Sequence, residues 1–414
     1  MMNTLTAKDF LTIDDFDIGD RTILVRVDLN SPMSPGGGIL DDMRIKSHIP
    51  TLRDLEDAKV VLLAHQSRPG KNDFTTMQLH ADVMSSSLGR KVTYIDDIFG
   101  SHARENIASM EKGDVILLEN VRFYSEESLK RPVSEHQGTH MVRKLAPLFD
   151  IFLNDAFAVS HRSQLSITGF TGLLPSGAGR LMEREITSLD VSLKGSESPC
   201  IFVLGGAKVD DSLKVAEHVL SSGGADRVLV TGVVANVVLA ASGVDIGEPN
   251  MKFIKSQGYL DQIDKAKNIL ERFAGKLGFP RDVALNDNGD RIEAKIDDVA
   301  STNLPINDLG LETIVAYSSE IENAKTVVLN GPAGVSEIEG FEIGTSEIIK
   351  AATNAGYSIA GGGHITAEVR NMGYEKMFSH ISTGGGACID FLAGDSLPGI
   401  EALKVAAKRY REFE

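Results

Sequence analysis

The sequence predicts an α/β protein with two doubly wound, Rossmann-like parallel-sheet domains, joined by a helix and separated by a deep cleft. The chain has 414 residues, enough for two or three domains at roughly 100–200 residues each. Short β-branched runs recur along it with turn residues behind them, as is typical of buried parallel strands. Longer segments with helical spacing separate the runs, which indicates βαβ units. The runs number about eleven, too many for one compact open sheet.

All of these strands are expected in parallel sheets. In the first half of the chain they are Thr22–Val27, Lys59–Ala64, Lys91–Ile95, Val115–Leu118 and Ile151–Asn154. In the second half they are Ile201–Leu204, Arg227–Val230, Asp282–Leu285, Thr326–Leu329, Tyr357–Ala360 and His380–Ser382. The clearest helices between them are Met43–Leu55, His136–Leu148, Asp211–Leu220 and Ile343–Ala355.

One long helix is expected to connect the two domains. Residues Ala178–Lys194 carry apolar side chains at helical spacing, and the loop Gly195–Pro199 follows them. The predicted organisation is a first domain at residues 1–177, a linker helix and hinge at 178–198, and a second domain at 199–396. A last helix at 397–414 belongs to no βαβ unit and is expected to dock on the first domain.

The composition is that of an acidic globular protein. The chain has 42 Lys and Arg residues and 58 Asp and Glu residues, which gives a net charge of −16. This charge disfavours a broad surface for binding nucleic acid or an anionic membrane. Cys200 and Cys388 are too few for a disulfide framework or a zinc site, and both are expected to be buried. The N-terminus carries acids, and polar residues interrupt the most apolar stretch, Val228–Val244. We therefore expect no signal peptide and no membrane helix, and a cytoplasmic location.

Arginines cluster after the strands of the first half, at the sheet edge where open α/β sheets bind their ligands. They are Arg44, Arg68, Arg122 and Arg162. Guanidinium groups suit phosphate and carboxylate oxygens, so these residues predict a pocket for a small, multiply anionic substrate. The alternative is a set of surface arginines paired with acids such as Asp28 or Glu119. His65 and His161 by themselves indicate loop hydrogen bonds more than catalysis.

Glycines take the same positions in the second half. The loops are Gly205–Lys208, Asn330–Gly334, Gly361–His364 and Thr383–Gly386. Glycine between a strand and a helix lets backbone N–H groups approach an anion. One such loop is weak support because tight turns also use glycine, but the recurrence predicts a site for nucleotide phosphates.

Several common enzyme classes are disfavoured. The chain has no GxxxxGK[ST] loop and no GxGxxG after its first strand, which argues against P-loop and nicotinamide-binding proteins. It has no HExxH and no GxSxG either. An anion pocket on one domain and a nucleotide site on the other predict phosphoryl transfer across a closing cleft. Such transfer needs alignment and charge neutralisation more than a nucleophilic side chain.

Longer motifs carry a family resemblance. They are RVDLNSP at 26–32, DMRI at 42–45, AHQSRP at 64–69, LLENVRF at 117–123, NDAF at 154–157 with SHR at 160–162, LGGAKV at 204–209, NGPAGVSE at 330–337 and ISTGGGA at 381–387. In these motifs and in their order the chain resembles phosphoglycerate kinase over essentially its whole length.

The resemblance implies reversible in-line transfer of a phosphoryl group from 1,3-bisphosphoglycerate to ADP, giving ATP and 3-phosphoglycerate in glycolysis and gluconeogenesis, with Mg²⁺ and after domain closure. The implied substrate-binding residues are Asp28, Asn30, Arg44, His65, Arg68, Arg122 and Arg162. The implied catalytic residues are Arg44, Lys208 and Gly385. The implied nucleotide-binding residues are Gly206, Lys208, Asn330, Glu337, Gly362, Gly363, His364 and Ile365. Arg26, inside a strand, is expected to be structural, and the family implies a monomer or a homodimer.

Three residues depart from the family pattern. Ser212 stands where a second lysine is common, although Lys214 lies two residues further on. His364 takes the usual place of an aspartate that helps to hold magnesium, and imidazole is a poor ligand for an ion that prefers oxygen. Gln164 replaces a second histidine. These changes indicate a divergent branch, of the kind seen in archaeal members, and leave the protein ligands of magnesium unknown.

Two other functions compete with the kinase. One is a non-catalytic relic that binds a phosphometabolite or nucleotide, motivated by the changes at Ser212 and His364. The other is a kinase that acts on a different carboxylate. Against the relic, the chain keeps Arg44, Lys208 and all the substrate arginines.

Overall fold

The structure, a computed structural model, describes residues 9–193 and 197–413. Its contacts divide the chain into two compact units. The first unit comprises Met1–Thr187 with Ser396–Glu414, and the second comprises Ser188–Asp395. The boundary therefore falls inside a helix, α8 at Arg180–Leu193.

Parts of the sequence predictions fall on residues that the structure does not describe. The predicted end of the connecting helix at Lys194 lies outside the described residues, as do Gly195 and Ser196 of the loop behind it. Residues 1–8 of the N-terminal segment also lie outside them.

One six-stranded sheet forms the centre of the first unit, and all its neighbouring strands are parallel. The strands are β1 Thr22–Arg26, β2 Lys59–Leu63, β3 Val92–Ile95, β4 Val115–Leu118, β5 Ile151–Asn154 and β6 Ser176–Ala178, in the spatial order β3-β4-β2-β1-β5-β6. The helices that precede α8 are α1 Met43–Ser47, α2 Ile49–Asp54, α3 Gln78–Leu88, α4 Ser101–Ala108, α5 Val133–Gln137, α6 His140–Leu145 and α7 Leu165–Thr168. The carboxyl ends of β1, β2 and β5 consequently meet at the middle of one sheet edge.

Both faces of this sheet are covered. Successive residues of β1 point to opposite sides, so that Val25 lies in one apolar cluster and Leu24 in another. β2 repeats the pattern with Leu62 and Val61. Strands that are buried on both faces read as continuous apolar runs, which is why the sequence revealed them so clearly.

The second unit has a six-stranded parallel sheet and a smaller antiparallel sheet. In chain order its strands are β7 Cys200–Leu204, β8 Arg227–Val230, β9 Leu277–Gly278, β10 Asp282–Asp287, β11 Asp290–Lys295, β12 Ile306–Leu309, β13 Thr326–Asn330, β14 Tyr357–Gly361 and β15 His380–Ile381. The parallel sheet has the order β15-β14-β13-β7-β8-β9. The helices are α9 Val209–Ser222, α10 Gly232–Ala241, α11 Gly247–Ser256, α12 Leu260–Arg272, α13 Val299–Thr302, α14 Leu311–Glu322, α15 Ile343–Ala352, α16 Gly363–Asn371 and α17 Gly386–Leu392.

The chain then returns to the first unit. Helix α18, Pro398–Phe413, packs against β6 and α7 of that unit. Cys200 and Cys388 are both buried. Among the described residues, no helix has the length and apolarity that crossing a membrane requires. The predicted fold class, α/β with two parallel-sheet domains, is confirmed.

One strand prediction was wrong. Asp282–Leu285 does not join the parallel sheet, because β10 pairs antiparallel with β11 and with β12. The turn between β10 and β11 contains Asn288 and Gly289, both with positive φ (53° and 106°). An Asn-Gly pair is the strongest short signal for a hairpin when alternating apolar residues flank it. β11 is mostly polar, so the sequence did not reveal it as a strand or as the partner of β10.

Two helix predictions were too simple. Met43–Leu55 is two short helices that meet at His48, and Pro50 stands at the start of the second. Proline has no N–H to continue the first helix. His136–Leu148 is likewise interrupted, since Gly138 ends α5 and a 3₁₀ turn containing Pro147 follows α6.

Candidate active site

Asp28 is the centre of a buried charged cluster in the first unit. It lies just beyond the carboxyl end of β1 and is 3% exposed. The carboxylate Oδ2 accepts a hydrogen bond from the Arg44 guanidinium, and Oδ1 accepts from the backbone N–H of Asn30 at 3.2 Å. Arg44 comes from α1, so the ion pair fastens that short helix to the strand end.

Electrostatics keep Asp28 ionised. Burial by itself would raise the pKa of this carboxyl, but the positive charges of Arg44 and Arg26 oppose burial and lower the pKa to about 2. At neutral pH the side chain is therefore an acceptor only. It can receive a hydrogen bond from a hydroxyl group as well as hold Arg44.

His65, at the end of β2, is buried and neutral. Burial lowers its pKa well below the ordinary value, and Arg26 and Arg122 lower it further against the attraction of Asp28. Arg26 Nη2 lies 3.2 Å from His65 Nδ1. Because a guanidinium group can only donate, Nδ1 must accept, and the ring proton lies on Nε2. Nε2 has no hydrogen-bond partner in the described part of the chain, so it is available to a ligand.

Arg26 was expected to be a structural residue because it lies inside a strand, and its side chain is fully buried. Its Nε donates to Ser166 Oγ at 2.8 Å, and Ser166 Oγ donates to Glu127 at 2.7 Å. Arg26 nevertheless orients His65, so its role extends to the site. The sequence missed Glu127 and Ser166 because no motif containing them was recognised.

Two loops position the remaining polar groups of this cluster. Asn30 Oδ1 accepts the backbone N–H of Ser67 at 2.6 Å, and the Arg122 side chain donates to the carbonyl of Ser67. Asn120 Oδ1 accepts the Arg122 N–H at 3.1 Å and so holds the turn that carries this arginine. Burial lowers the pKa of Arg122 to about 10, with Arg26 and Arg162 contributing. Arg122 remains positive at neutral pH.

The structure thus brings together most of the predicted substrate residues. Asp28, Asn30, Arg44, His65 and Arg122 are connected by direct contacts or through Ser67. Arg162 is exposed, but its charge acts on His65 and Arg122. Arg68 is exposed, and within the described residues its side chain makes no hydrogen bond or ion pair.

The second unit contains a cavity of about 170 Å³ at the strand ends. Its wall includes three of the predicted nucleotide residues, Gly206, Glu337 and His364. Ala207 and residues 332–334 also line it, and they belong to glycine loops that the sequence predicted at a nucleotide site. The sequence missed the rest of the wall, which comprises Gly232, Val233, Ala235, Asn236, Pro280, Val283, Ile306–Leu309 and Val335. The Ile306–Leu309 wall is strand β12 of the antiparallel sheet, which explains why it was not foreseen.

Glycine is needed where the loops of this cavity pass one another. A Cβ on Gly205 would lie 2.2 Å from Thr231 Oγ1 and 2.4 Å from the carbonyl oxygen of Pro332. Gly331 has φ 82°, and a Cβ there would lie 2.3 Å from the Gly205 carbonyl oxygen. Side chains would separate these loops and close the approach to the cavity.

Two buried polar groups here lack partners among the described residues. They are Asn330 Nδ2, at the end of β13, and Thr231 Oγ1, after β8. Gly362 lies beside the Asn330 amide, 3.6 Å away when measured from an ideal Cβ position. Buried polar groups without partners cost free energy, so a ligand that reached them would be stabilised by them.

The other predicted nucleotide and catalytic residues stand at helix starts. Lys208 is exposed and precedes α9, Gly362 precedes Gly363 at the start of α16, and Gly385 precedes α17 with φ 50°. The Ile365 side chain packs in the apolar core. Only its backbone could therefore contact a nucleotide.

Lys214 does not take the place of the lysine missing at Ser212. Ser212 is buried, whereas Lys214 forms an ion pair with Asp395. Side chains two positions apart on a helix are separated by about 200° around its axis. Ser212 and Lys214 therefore point in nearly opposite directions. No described side chain supplies a second lysine at this position of α9.

The residues at His364 do not fit a protein-held magnesium ion. No group of three or more His, Cys, Asp or Glu side chains among the described residues could hold a metal. Of the carboxylates in the same cavity, Asp308 is already bonded to Arg291 and to the Gly344 N–H, at 2.8 Å each. Magnesium requires oxygen ligands in octahedral geometry, and an imidazole with one exposed carboxylate does not provide them.

Fold and sites together define the class. One α/β unit carries a cluster suited to a small anion, and the other carries a glycine-lined cavity suited to a nucleotide. This combination of sites is typical of a kinase. A sequence model of the phosphoglycerate kinase family matches residues 13–395. The chain belongs to the phosphoglycerate kinase family, and it is a phosphotransferase enzyme, as the motifs predicted.

Relatives and solved structures agree with this assignment. The chain is 68% identical over 412 residues to a phosphoglycerate kinase of Methanosarcina mazei, covering 100% of this chain and 99% of the relative. It is 53% identical over 409 residues to phosphoglycerate kinase 1 of Methanosarcina acetivorans, with 99% of each covered. It is also similar to the crystal structure of phosphoglycerate kinase from Pyrococcus horikoshii OT3, with a TM-score of 0.89 and 42% identity over 96% of this chain and 100% of that one.

Proposed function

We propose that this chain transfers the acyl phosphate of 1,3-bisphosphoglycerate to ADP, reversibly, giving ATP and 3-phosphoglycerate in glycolysis and gluconeogenesis in the cytoplasm. The observation that carries the proposal is the cluster of Asp28, Arg44, His65 and Arg122, because it offers several fixed donors and one ionised acceptor at a single sheet edge. A phosphorylated hydroxy acid presents the matching groups: anionic oxygens for the donors and a hydroxyl for the acceptor.

The glycerate substrate would be held by groups that are already in position. Arg122, Arg68 and Arg162 supply positive charge for its stable phosphate, and His65 Nε2 supplies one neutral donor. Asp28 would accept a hydrogen bond from its hydroxyl group, and Asn30 Nδ2 would donate one to an oxygen of its hydroxyl or carboxyl group. Because most of these groups are fixed by neighbours before substrate binds, little order is lost on binding.

The nucleotide would occupy the cavity of the second unit. Its apolar wall suits a flat base, Glu337 would accept hydrogen bonds from ribose hydroxyls, and Asn330 Nδ2 would donate to a phosphate oxygen. Lys208 and the backbone N–H groups of Gly362, Gly363, His364 and Ile365 would supply further donors near the phosphates. The Gly206 N–H already donates to the Pro332 carbonyl oxygen at 2.8 Å, so Gly206 would contribute through its place in the cavity wall. A glycine-rich helix start is well suited to bind phosphate.

Transfer itself requires charge neutralisation rather than a nucleophilic side chain. Arg44 and Lys208 would stabilise the negative charge on the phosphoryl group in flight, and the backbone N–H groups beside Gly385 would add to them. Domain closure would bring the two substrates together and exclude water. Magnesium would arrive on the nucleotide phosphates and keep its water ligands, because the residues around His364 do not form a site for it.

The direct test is ATP-dependent phosphorylation of 3-phosphoglycerate, coupled to NADH oxidation by glyceraldehyde-phosphate dehydrogenase, with and without magnesium. We expect magnesium-dependent turnover. Absence of turnover with nucleotide binding intact would instead support the non-catalytic relic, which the named relatives do not favour. Turnover with other carboxylates in place of 3-phosphoglycerate, at equal or higher rate, would support a kinase of different specificity.

A further inference from the structure

His48 is a fully buried histidine that the proposed reaction does not use. It lies between α1 and α2, and both of its ring nitrogens have partners. Nδ1 is 2.7 Å from Asp155 Oδ2, and Nε2 is 3.0 Å from the backbone nitrogen of Asp28 and 3.1 Å from its carbonyl oxygen. The ring therefore joins Asp155 to the peptide of the residue at the centre of the anion site.

Asp155 is an acceptor for several donors at once. Thr51 Oγ1 donates to its Oδ2 at 2.8 Å. Its Oδ1 accepts the backbone N–H groups of Leu181 and Met182, at 2.9 and 3.3 Å, in the first turn of α8. A carboxylate surrounded in this way presents only lone pairs to His48, so His48 Nδ1 must donate to it. The backbone N–H of Asp28 donates to Nε2 at 3.0 Å, so Nε2 accepts it with its lone pair.

His48 and Arg44 act on the same residue from one segment. Arg44 in α1 binds the carboxylate of Asp28, and His48, which ends α1, binds its peptide group. Two attachments fix the direction of a side chain better than one. The third attachment, through Asp155, connects them to α8, the helix whose last residues belong to the second unit.

We propose that Asp155 and His48 form a positioning pair that holds Asp28, and through it Arg44, in the geometry required for phosphoryl transfer. Neither residue touches the substrate, and the pair acts by fixing the tautomer of His48. The proposal rests on the function proposed above, because that function gives Asp28 and Arg44 their roles.

The substitution Asp155→Asn tests the positioning of His48 while keeping most of the contacts that Asp155 makes in the fold. The amide is close to the carboxylate in shape, its Oδ1 can still accept from Leu181 and Met182, and its Nδ2 can donate to Thr51 Oγ1. It would also donate to His48 Nδ1, which must then accept. The ring proton would move to Nε2, which would donate to the Asp28 carbonyl and leave the Asp28 N–H without its partner.

We expect Asp155→Asn to lower kcat by roughly tenfold, the size seen when outer hydrogen-bond partners of a site are lost, while KM for 3-phosphoglycerate and ATP changes little. Histidine-selective ¹⁵N NMR should show His48 protonated at Nδ1 in the wild type and at Nε2 in the variant, with the signal assigned from His48→Gln. Thr51→Val is the matched control. It removes the hydroxyl from the same carboxylate without changing its charge, so it should lower stability but leave kcat and the tautomer near wild type.

Three outcomes would overturn the proposal. They are a wild-type His48 whose proton lies on Nε2, an Asp155→Asn protein with the shifted tautomer and unchanged kcat, and equal losses of kcat in Asp155→Asn and Thr51→Val. The first is measured on the wild type alone and so does not depend on whether the variant folds. A wild type without kinase activity but with the expected tautomer would refute the proposed function, and with it the catalytic role of the pair, while leaving the hydrogen bonds themselves established.

Discussion

Under the function proposed above, the anion cluster of the first unit and the cavity of the second unit both bind phosphates, but by different means. In the first unit, charged side chains are buried and held by one another, as Asp28 holds Arg44 and Arg26 orients His65. In the second unit, glycine loops leave room for backbone donors, and the lysine is exposed. The buried arrangement suits a small substrate that needs strict orientation, whereas the glycine arrangement suits a larger ligand with repeated phosphates.

The difference has energetic consequences. Buried charges are costly unless they are paired, so removing one partner leaves the other unsatisfied. Backbone donors cost little to maintain and are lost only when a side chain blocks them. Substitutions in the first unit should therefore act through charge, and substitutions in the second unit through shape.

The largest effect is expected for Arg44→Ala. Loss of a positive group facing the transferring phosphoryl should lower kcat by about 10²–10³-fold, measured in the coupled assay. Lys46→Ala is the control, since Lys46 lies on the same helix and forms a surface ion pair with Asp42, at 2.9 Å. Activity of Arg44→Ala within threefold of the control would remove Arg44 from catalysis.

The second-largest loss of activity is expected for Lys208→Ala, with kcat lowered by about 10²-fold. The effect should be smaller than that of Arg44→Ala because Lys208 is exposed and its side chain is less firmly positioned than that of Arg44. Ser212→Ala, one turn further along α9, should remain within about twofold of wild type, since a buried serine supplies no charge. Equal losses in the two variants would show that the lysine of this helix start is not the one that acts on the phosphoryl group.

Gly331→Ala tests the dependence of the second unit on shape. The methyl group would meet the Gly205 carbonyl oxygen at 2.3 Å, so we expect the dissociation constant of ADP, measured by calorimetry, to rise about tenfold or more, a loss of about 1.4 kcal/mol. Gly243→Ala is matched in backbone strain, because Gly243 also has positive φ (93°), but its Cβ would meet nothing. Similar affinities for the two variants would contradict the role of close loop packing.

His364→Asp should change the use of magnesium. A carboxylate oxygen is a far better ligand for this ion than imidazole, so the magnesium concentration that gives half-maximal activity should fall several-fold, while KM for 3-phosphoglycerate stays constant. An unchanged magnesium dependence would show that position 364 does not face the metal in this enzyme.

The smallest effect concerns pH and Asp28. Its pKa of about 2 in the folded protein is below the ordinary value of about 3.9 in an unfolded chain. The stabilisation that this difference provides is thus complete above about pH 4 and is lost as the pH falls toward 2. We expect the melting temperature of wild type to fall more steeply than that of Asp28→Asn between pH 4 and pH 2. Parallel curves would mean that Asp28 is not held by Arg44 and Arg26.

How much of the site could be predicted from the sequence depended on the kind of residue. Asp28, Arg44, His65 and Arg122 were found because each directly follows a strand or opens a helix within a recognisable motif. Asp155 lies within the NDAF motif and His48 follows DMRI by three residues, but their contact spans 107 positions of the chain. No local pattern reports a pairing of that separation.

The sequence by itself determined the parallel sheets, since strands buried on both faces must be apolar throughout and turns must follow them. The sequence also determined the family, because the motifs at the strand ends contain the charged residues and glycines that binding and catalysis require. Only the tertiary structure decided that Lys214 pairs with Asp395, that β12 lines the cavity, and which nitrogen of His65 holds its proton. Those features follow from the direction of side chains and from the partners that packing supplies, and neither is present in a linear order of residues.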